Sequence, residues 1–373
     1  METVEIRAGD LLLRQWLPTD AEAVTRACQD PVLRHWAPSL PAPYTLADGR
    51  QFVAELAPQA WADRTHLGFA VVDAPTGEFL AGVAIHDPDA RPELGYWSAP
   101  WARGRRVTER ASRALLNWAF DELGADQVVW KATVGNHASR LTGLRLGFRM
   151  IGRTPATAKH PERWVATMLP GDLTAADAEL DPTLRRQARI FGAEPPTLNA
   201  GPVRLRPPGA GDLTAIAVAN QDPQIVRWFG VAQPYTEADA RRYVEQDAPR
   251  EWARGAEAIF VIADAADAYA GAVDLRISTT DPAVGEVGFL VAPQARGRGY
   301  ATAAVRALAE WGFTELGLIR VQWRAEVGND ASRRVAEKAG FTMEGLVRQG
   351  YEDDGRRRDC WIASMLSSDR VPA

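Results

Sequence analysis

The stretch VAPQARGRGYATAA, Val291–Ala304, decides how this chain is read, because a variant of it, SAPWARGRRVTERA at Ser98–Ala111, stands 193 residues upstream. Two further landmarks recur in the same order. QDP followed by a tryptophan occurs at Gln29–Pro31 with Trp36 and again at Gln221–Pro223 with Trp228. VGNHASRLTGLRLGF from Val134 returns as VGNDASRRVAEKAGF from Val327. The spacing is 192 or 193 residues throughout, so the chain is a duplicated domain. A length of 373 residues accommodates two such units with a core each. The first unit is expected at 1–170 and the second at 200–373. Between them lies a connector, 171–199, punctuated by Asp181-Pro182 and Pro195-Pro196.

Composition excludes several classes of function. The chain is 46% hydrophobic and 24% charged, ordinary for a globular protein, and its net charge of -5 carries no electrostatic footprint for nucleic acid. The basic run Gly355–Arg358 reads as a solvated turn. Two cysteines, Cys28 and Cys360, supply neither a disulfide framework nor a cysteine zinc site, which points to a reducing compartment. His35, His66, His86, His137 and His160 have no counterparts in the second unit and form no evident metal set, so no metal is expected. With no basic-then-apolar leader and no bilayer-length apolar run, the expectation is a cytoplasmic protein without membrane or nucleic-acid partners.

Within the second unit, VRLRP opens a strand, and helical patterns cover residues 210–221 and 236–254. AIFVIADA, AYAGAVDLRI and EVGFLVAP follow as three strands. After the glycine loop, Ala301, Ala304, Val305, Leu308, Trp311 and Leu316 recur at helical spacing. RVQWRAEV is a further strand, NDASRRVAEKA a helix stopped by Gly340, and a strand pair turns at Asp353–Gly355. The first unit follows the same plan. This order predicts α/β or α+β architecture with one central sheet per unit.

A strand, then Arg-Gly-Arg-Gly, then a helix makes a cradle for an anion. Glycines permit positive φ and close approach, while the helix start offers unpaired N–H groups at its positive end. Arg296 and Arg298 add charge suited to phosphate. The plainer alternative is a tight turn with solvated arginines. The loop lacks the Gly-Lys-Ser/Thr ending of a Walker sequence and the three-glycine dinucleotide fingerprint, which leaves a different pyrophosphate ligand.

With these residues, the sequence resembles the GNAT superfamily of acyl-CoA-dependent N-acetyltransferases. EGLVRQGYEDDGRRRDCWIASML, from Glu344, is similar to its RimJ/RimL type, which acetylates protein N-termini and small amines. The resemblance implies two tandem GNAT folds, each a splayed mixed sheet flanked by helices, with acetyl-CoA as acyl donor. It implies that backbone groups of Leu290 and Val291 hold the pantetheine arm. The backbone of Arg296, Gly297, Arg298, Gly299, Tyr300 and Ala301 would hold the pyrophosphate, and Asn329 a pantetheine amide. An asparagine there is also a good N-cap, and the two roles are compatible.

Transfer to an amine needs a route for the amine proton, an oxyanion stabiliser and a donor for the leaving thiolate. Glu286 opens EVGFLV on the same strand face as Gly288 and Leu290 and is the candidate base; its alternative is an exposed strand start. Glu93 is its counterpart in the first unit. The tyrosine that many relatives place seven residues beyond the asparagine is replaced by Ala336, and by Gly143 in the first unit. Ser332 is the candidate thiolate donor, with capping of its own helix as the alternative. Most of the 13 tryptophans serve packing, while Trp228 and Tyr235 are candidate acceptor contacts.

In the first unit Trp101 stands for Gln294 and Arg106 for Gly299, so bulk is added where backbone approaches ligand. The expectation is a catalytic second unit beside a degenerate first one that shapes the acceptor groove, with two competent sites as the alternative. The acceptor is a small-molecule amine or a peptide N-terminus. A non-catalytic acyl-CoA-binding scaffold is the remaining reading. The assembly is a monomer whose units form a pseudo-dimeric pair, or a homodimer.

Overall fold

The computed structural model describes residues 4–158, 160–175, 191–192, 194–353 and 355–369. Its contacts divide the chain into Met1–Asp181 and Pro182–Ala373. Of the connector expected at 171–199, residues 176–190 and 193 lie outside the described residues, and with them Asp181-Pro182. Both flanks belong to the units. Thr174 accepts from Arg113 in the first, while Phe191 in the second is buried, stacked 4.9 Å from Trp252 and 6.1 Å from Trp311. An aromatic ring with that much area is stabilised in the core, which draws its segment into the domain.

Among the described residues each unit holds one mixed sheet of 8 strands. In the first these are β1 (Ile6–Ala8), β2 (Leu11–Arg14), β3 (His66–Asp73), β4 (Phe79–His86), β5 (Glu93–Ser98), β6 (Val128–Thr133), β7 (Arg149–Thr154) and β8 (Arg163–Met168). The second has β9 (Leu198–Ala200), β10 (Val203–Arg206), β11 (Glu257–Ala263), β12 (Tyr269–Ile277), β13 (Val284–Val291), β14 (Arg320–Glu326), β15 (Thr342–Asp353) and β16 (Arg356–Leu366). Spatial order is the same in both: β1-β2-β3-β4-β5-β6-β8-β7, and β9 to β14 followed by β16 and β15. All pairings are antiparallel except β5 with β6 and β13 with β14. A parallel pair needs a crossover, supplied by the helices Val107–Asp121 and Tyr300–Thr314.

The predicted stripe explains where the second crossover helix lies. Ala301, Ala304, Val305, Leu308 and Trp311 are buried on the sheet, with Val287 of β13 and Val321 of β14 in the same core. Leu316 falls past the helix end at Thr314. Burial of a leucine such as Leu308 contributes about 2 kcal/mol, so the stripe fixes which sheet face the helix covers. The opposite face of β13 is thereby left for Glu286, Gly288 and Leu290. Among the described residues, no helix is long and apolar enough to cross a membrane.

Candidate active site

The parallel pair β13–β14 is short. Val284, Gly285 and Glu286 pair with Arg320, Val321 and Gln322, and the register goes no further among the described residues. Val287–Val291 are bonded to β12 alone. Beyond Glu286 the two strands therefore part, exposing one backbone edge of β13 that includes Leu290 and Val291. That edge leads directly into the glycine loop. Gly297 and Gly299 sit at φ +76° and +77°, and a methyl group at either would project into open space. The crossover helix begins at Tyr300 with no acidic residue in its first turn. Its first N–H groups are thus left for an outside acceptor. Pyrophosphate of a coenzyme A moiety fits this loop, and an extended amide-bearing chain fits the strand edge.

The side chain of Arg296 points elsewhere. Its Nη2 is 2.6 Å from Asp222 Oδ1, and Asp222 also accepts from Gln224 N and Ile225 N as cap of the helix Pro223–Phe229. The neighbouring guanidinium holds the Asp222 carboxyl below the usual carboxylate range. At the other end of that helix, Arg227 Nη2 donates to Glu326 Oε1 at 2.9 Å. The helix Pro223–Phe229 thus bridges the two walls of the splay, the loop after β13 and the end of β14. Trp228 lies on it with its ring edge 4.0 Å from where a β-carbon on Gly328 would stand, beside Asn329. Tyr235, Tyr243 and Leu290 are partly buried against a small core that includes Ile225, Val261 and Tyr269.

Asn329 Oδ1 accepts from Ser332 N at 3.1 Å, so the N-cap role is present, and its Nδ2 remains a donor. Ser332 Oγ accepts from Trp323 Nε1 at 3.0 Å, which leaves the hydroxyl hydrogen to be donated. Trp323 was not singled out in the sequence. It is buried beneath the helix Asp330–Ala339, and a tryptophan mid-strand nine residues before a helix-start serine is a weak signal for such a bond.

Glu286 lies on the same face of β13 as Gly288 and Leu290, and both of its oxygens are engaged. Oε2 accepts from Arg324 Nε at 2.7 Å and Gln322 Nε2 at 3.0 Å, and Oε1 from Arg276 Nη2 at 3.2 Å. The candidate base is thus ion-paired to both Arg276 and Arg324.

The carboxylate that lies against the splaying strand is Asp274, which pairs across β12–β13 with Gly288. A β-carbon on Gly288 would stand 2.6 Å from Asp274 Oδ1, so only glycine leaves room for this carboxylate. Asp274 Oδ2 is buried with no hydrogen-bond partner among the described residues, and Arg276 Nε stands 3.5 Å away. Glu257 hydrogen-bonds to the Asp274 carboxyl; burial raises both above the usual carboxylate range, with the Asp274 charge adding to the rise of Glu257 and the Glu286 charge to that of Asp274. The sequence signal is a lone acid inside the apolar run AYAGAVDLRI.

The acetyltransferase (GNAT) domain profile matches residues 10–149 and again 203–342. The chain belongs to the GNAT acetyltransferase family. It is an acetyl-CoA-dependent N-acetyltransferase with two tandem GNAT domains of RimJ/RimL-like kind. The "Putative ribosomal N-acetyltransferase YdaF" of Bacillus subtilis is 32% identical over 165 residues, covering 43% of this chain and 88% of that protein. The spermidine N(1)-acetyltransferase of Vibrio cholerae is 28% identical over 165 residues, covering 44% of this chain and 92% of that one. Among solved structures, Mycobacterium smegmatis RimJ in complex with CoA-disulfide is 25% identical, with a TM-score of 0.42, covering 48% of this chain and 89% of that one.

The first GNAT domain keeps the frame and differs at the site. Asp30 caps the helix Pro31–Trp36 and pairs with Arg103, as Asp222 does with Arg296. Trp101 Nε1 donates to Phe79 O at 2.8 Å, where Gln294 Nε2 donates to the equivalent Tyr269 O at 3.5 Å. The added bulk of Trp101 thus preserves a structural bond. Arg106 adopts φ +53°, so the loop conformation survives without glycine at a cost of about 1 kcal/mol. Glu109 is buried in the first turn of the crossover helix, within 4 Å of Arg106, Arg113 and Arg145. The strands β5 and β6 part after Leu94 and Trp130. Across that gap, the Tyr96 hydroxyl donates to Ser139 O at 2.8 Å and lies 3.1 Å from Ser139 Oγ.

Proposed function

We propose that the second domain carries the transfer activity, moving the acetyl group of acetyl-CoA to a primary amine of a small molecule by direct attack in a ternary complex. The observation that carries this reading is the splay beyond Glu286, which opens onto a glycine loop and an acid-free helix start. In this reading the backbone of Leu290 and Val291 binds the pantetheine arm, and the oxyanion forms beside it. Backbone N–H groups from Arg296 through Ala301 receive the pyrophosphate, with the Arg298 side chain adding charge. Asn329 Nδ2 donates to a pantetheine carbonyl. Ser332, oriented by Trp323, protonates the departing thiolate. Trp228 and Tyr235 line the acceptor side.

In the same reading the first domain, 1–170, is a degenerate copy. Its helix start is already compensated by Glu109, its splay is crossed by Tyr96 to Ser139, and Arg106 projects a side chain where Gly299 has none. A small acceptor is favoured over a protein tail because the helix Pro223–Phe229 is tied to both walls of the cleft. The relative named as a ribosomal N-acetyltransferase supports the second reading, acetylation of a protein N-terminus. Thiol release from acetyl-CoA tests the choice. Turnover with spermidine and other small amines, and none with peptides bearing free N-termini, supports the first reading; the reverse pattern overturns it. Binding of acetyl-CoA with no turnover on any acceptor identifies a scaffold.

A further inference from the structure

The amine that attacks a thioester arrives as an ammonium, and the proton it loses must go to a group on the acceptor face of β13. Four ionisable side chains surround that position besides Asp274 itself: Glu257 on β11, Arg276 on β12, Glu286 on β13 and Tyr243 on the preceding helical segment. Arg276 is already a donor to Glu286, and Glu286 accepts from Arg276, Arg324 and Gln322. Tyr243 is partly buried, its hydroxyl pushed well above the ordinary tyrosine range by burial and by Tyr269, Asp274 and Glu257. Asp274 differs from all of these. Its Oδ2 is buried without a hydrogen-bond partner among the described residues, 3.5 Å from Arg276 Nε, and its carboxyl lies on the bare Cα of Gly288 within the splayed segment.

We propose that Asp274 accepts the proton of the acceptor ammonium, that Glu257 holds the Asp274 carboxyl by a hydrogen bond, and that Glu286 is a positioning residue for Arg276 and Arg324. This rests on the reading of the splay as the acetyl-CoA site. One ammonium proton passes to Asp274. The nitrogen lone pair then bonds to the thioester carbonyl carbon, and the C–S bond breaks with its electron pair on sulfur. A second proton from nitrogen reaches sulfur by way of the Ser332 hydroxyl, and the Asp274 proton leaves to water after the products. The sum is one amide, one free thiol and one released proton.

The equivalent face of the first domain supports the assignment by what it lacks. Register places Ala84 opposite Gly95, as Asp274 is opposite Gly288, while Glu93 is retained and paired with Lys131. The domain without a transfer site thus keeps the glutamate and loses the aspartate.

The test uses the full chain, thiol release with spermidine and L-alaninamide as amine probes, and calorimetric affinity for acetyl-CoA. Asp274→Asn is expected to lower kcat/KM for the amine about 100-fold or more and to remove the acid limb of its pH profile, with acetyl-CoA affinity within about twofold. That limb lies above the ordinary carboxylate range in the wild type, because burial and Glu286 oppose ionisation more than Arg276 and the Glu257 hydrogen bond assist it. Glu286→Gln is expected to lower the rate less and to keep the limb. Asp274→Gly, rescued toward wild-type rate by added formate, separates proton transfer from a packing role. An Asp274→Asn enzyme that keeps its acid limb and half its rate overturns the proposal, as does loss of the limb in Glu286→Gln alone. A wild-type chain that binds no acetyl-CoA overturns instead the reading of the splay.

Discussion

The two domains share a sheet order, a crossover helix, a loop–helix ion pair and an asparagine cap, yet they differ at almost every side chain that would touch a reactant. On one face the second domain presents Tyr243, Glu257, Asp274, Arg276, Glu286 and Arg324. Register and position give Phe52, His66, Ala84, His86, Glu93 and Lys131 in the first. Residues that pair loops and cap helices stabilise the fold whether or not a ligand binds, so both copies keep them. Residues that hold charge against a splayed strand cost desolvation, and the first domain avoids part of that cost by carrying alanine where the second has Asp274. Tyr96, reaching Ser139 across the first splay, satisfies within the protein groups that the second leaves open.

The largest expected effect comes from exchanging the loop residue that first distinguished the copies. Gly299→Arg should weaken acetyl-CoA binding about 100-fold, roughly 3 kcal/mol, by placing a side chain in the cradle. Arg106→Gly should leave binding unchanged and raise stability by about 1 kcal/mol through relief of its positive φ. Calorimetry should return one acetyl-CoA per chain; two sites, or an unaffected Gly299→Arg variant, breaks the comparison. Next in size, Ser332→Ala should lower kcat about tenfold to 100-fold with little change in KM for acetyl-CoA, whereas Ser139→Ala should leave both alone. Equal losses from the two serines would make both domains competent.

Acid should separate the copies further. His66 and His86 lie with their Nδ1 atoms 2.9 Å apart, and burial lowers His66 to about 4. Because the folded pKa lies below the unfolded one, the unfolded chain binds the proton first, so stability falls as pH drops from about 6.5 toward 4. In the second domain Glu257 and Asp274 are raised, so acid favours their folded, protonated forms and the sign reverses. Melting the full chain at pH 7 and pH 5 should cost the first domain about 2 kcal/mol, and His66→Gln should remove most of that loss. The smallest effect concerns the shared ion pair. Asp30→Ala and Asp222→Ala should each cost about 1 kcal/mol as lost caps, and only Asp222→Ala should raise the KM for acetyl-CoA, by loosening Arg296. A matching KM change from Asp30→Ala would count against the division of labour.

Much of this was legible in the sequence. The stripe Ala301, Ala304, Val305, Leu308 and Trp311 gave the crossover helix because helical period is a local property. The loop glycines and the Asn329 cap followed from backbone preferences that need only neighbours in the chain. Glu286 was placed on the correct face by strand alternation, but not in its partnership. Arg276 and Arg324 reach it from strands 10 and 38 residues away, and nothing local announces them. Asp274 was passed over for the same reason, since its meaning depends on Gly288 across the sheet.

The sequence by itself determined the duplication, the order of strands and helices, and the loop that distinguishes the copies. These depend on repeats, periodicity and φ preferences, all written along the chain. Only the tertiary structure decided where β13 leaves β14, which carboxylate lies bare against that opening and which is locked between guanidinium groups. Charge and desolvation act through space, so a group's proton affinity is set by neighbours that the fold brings together.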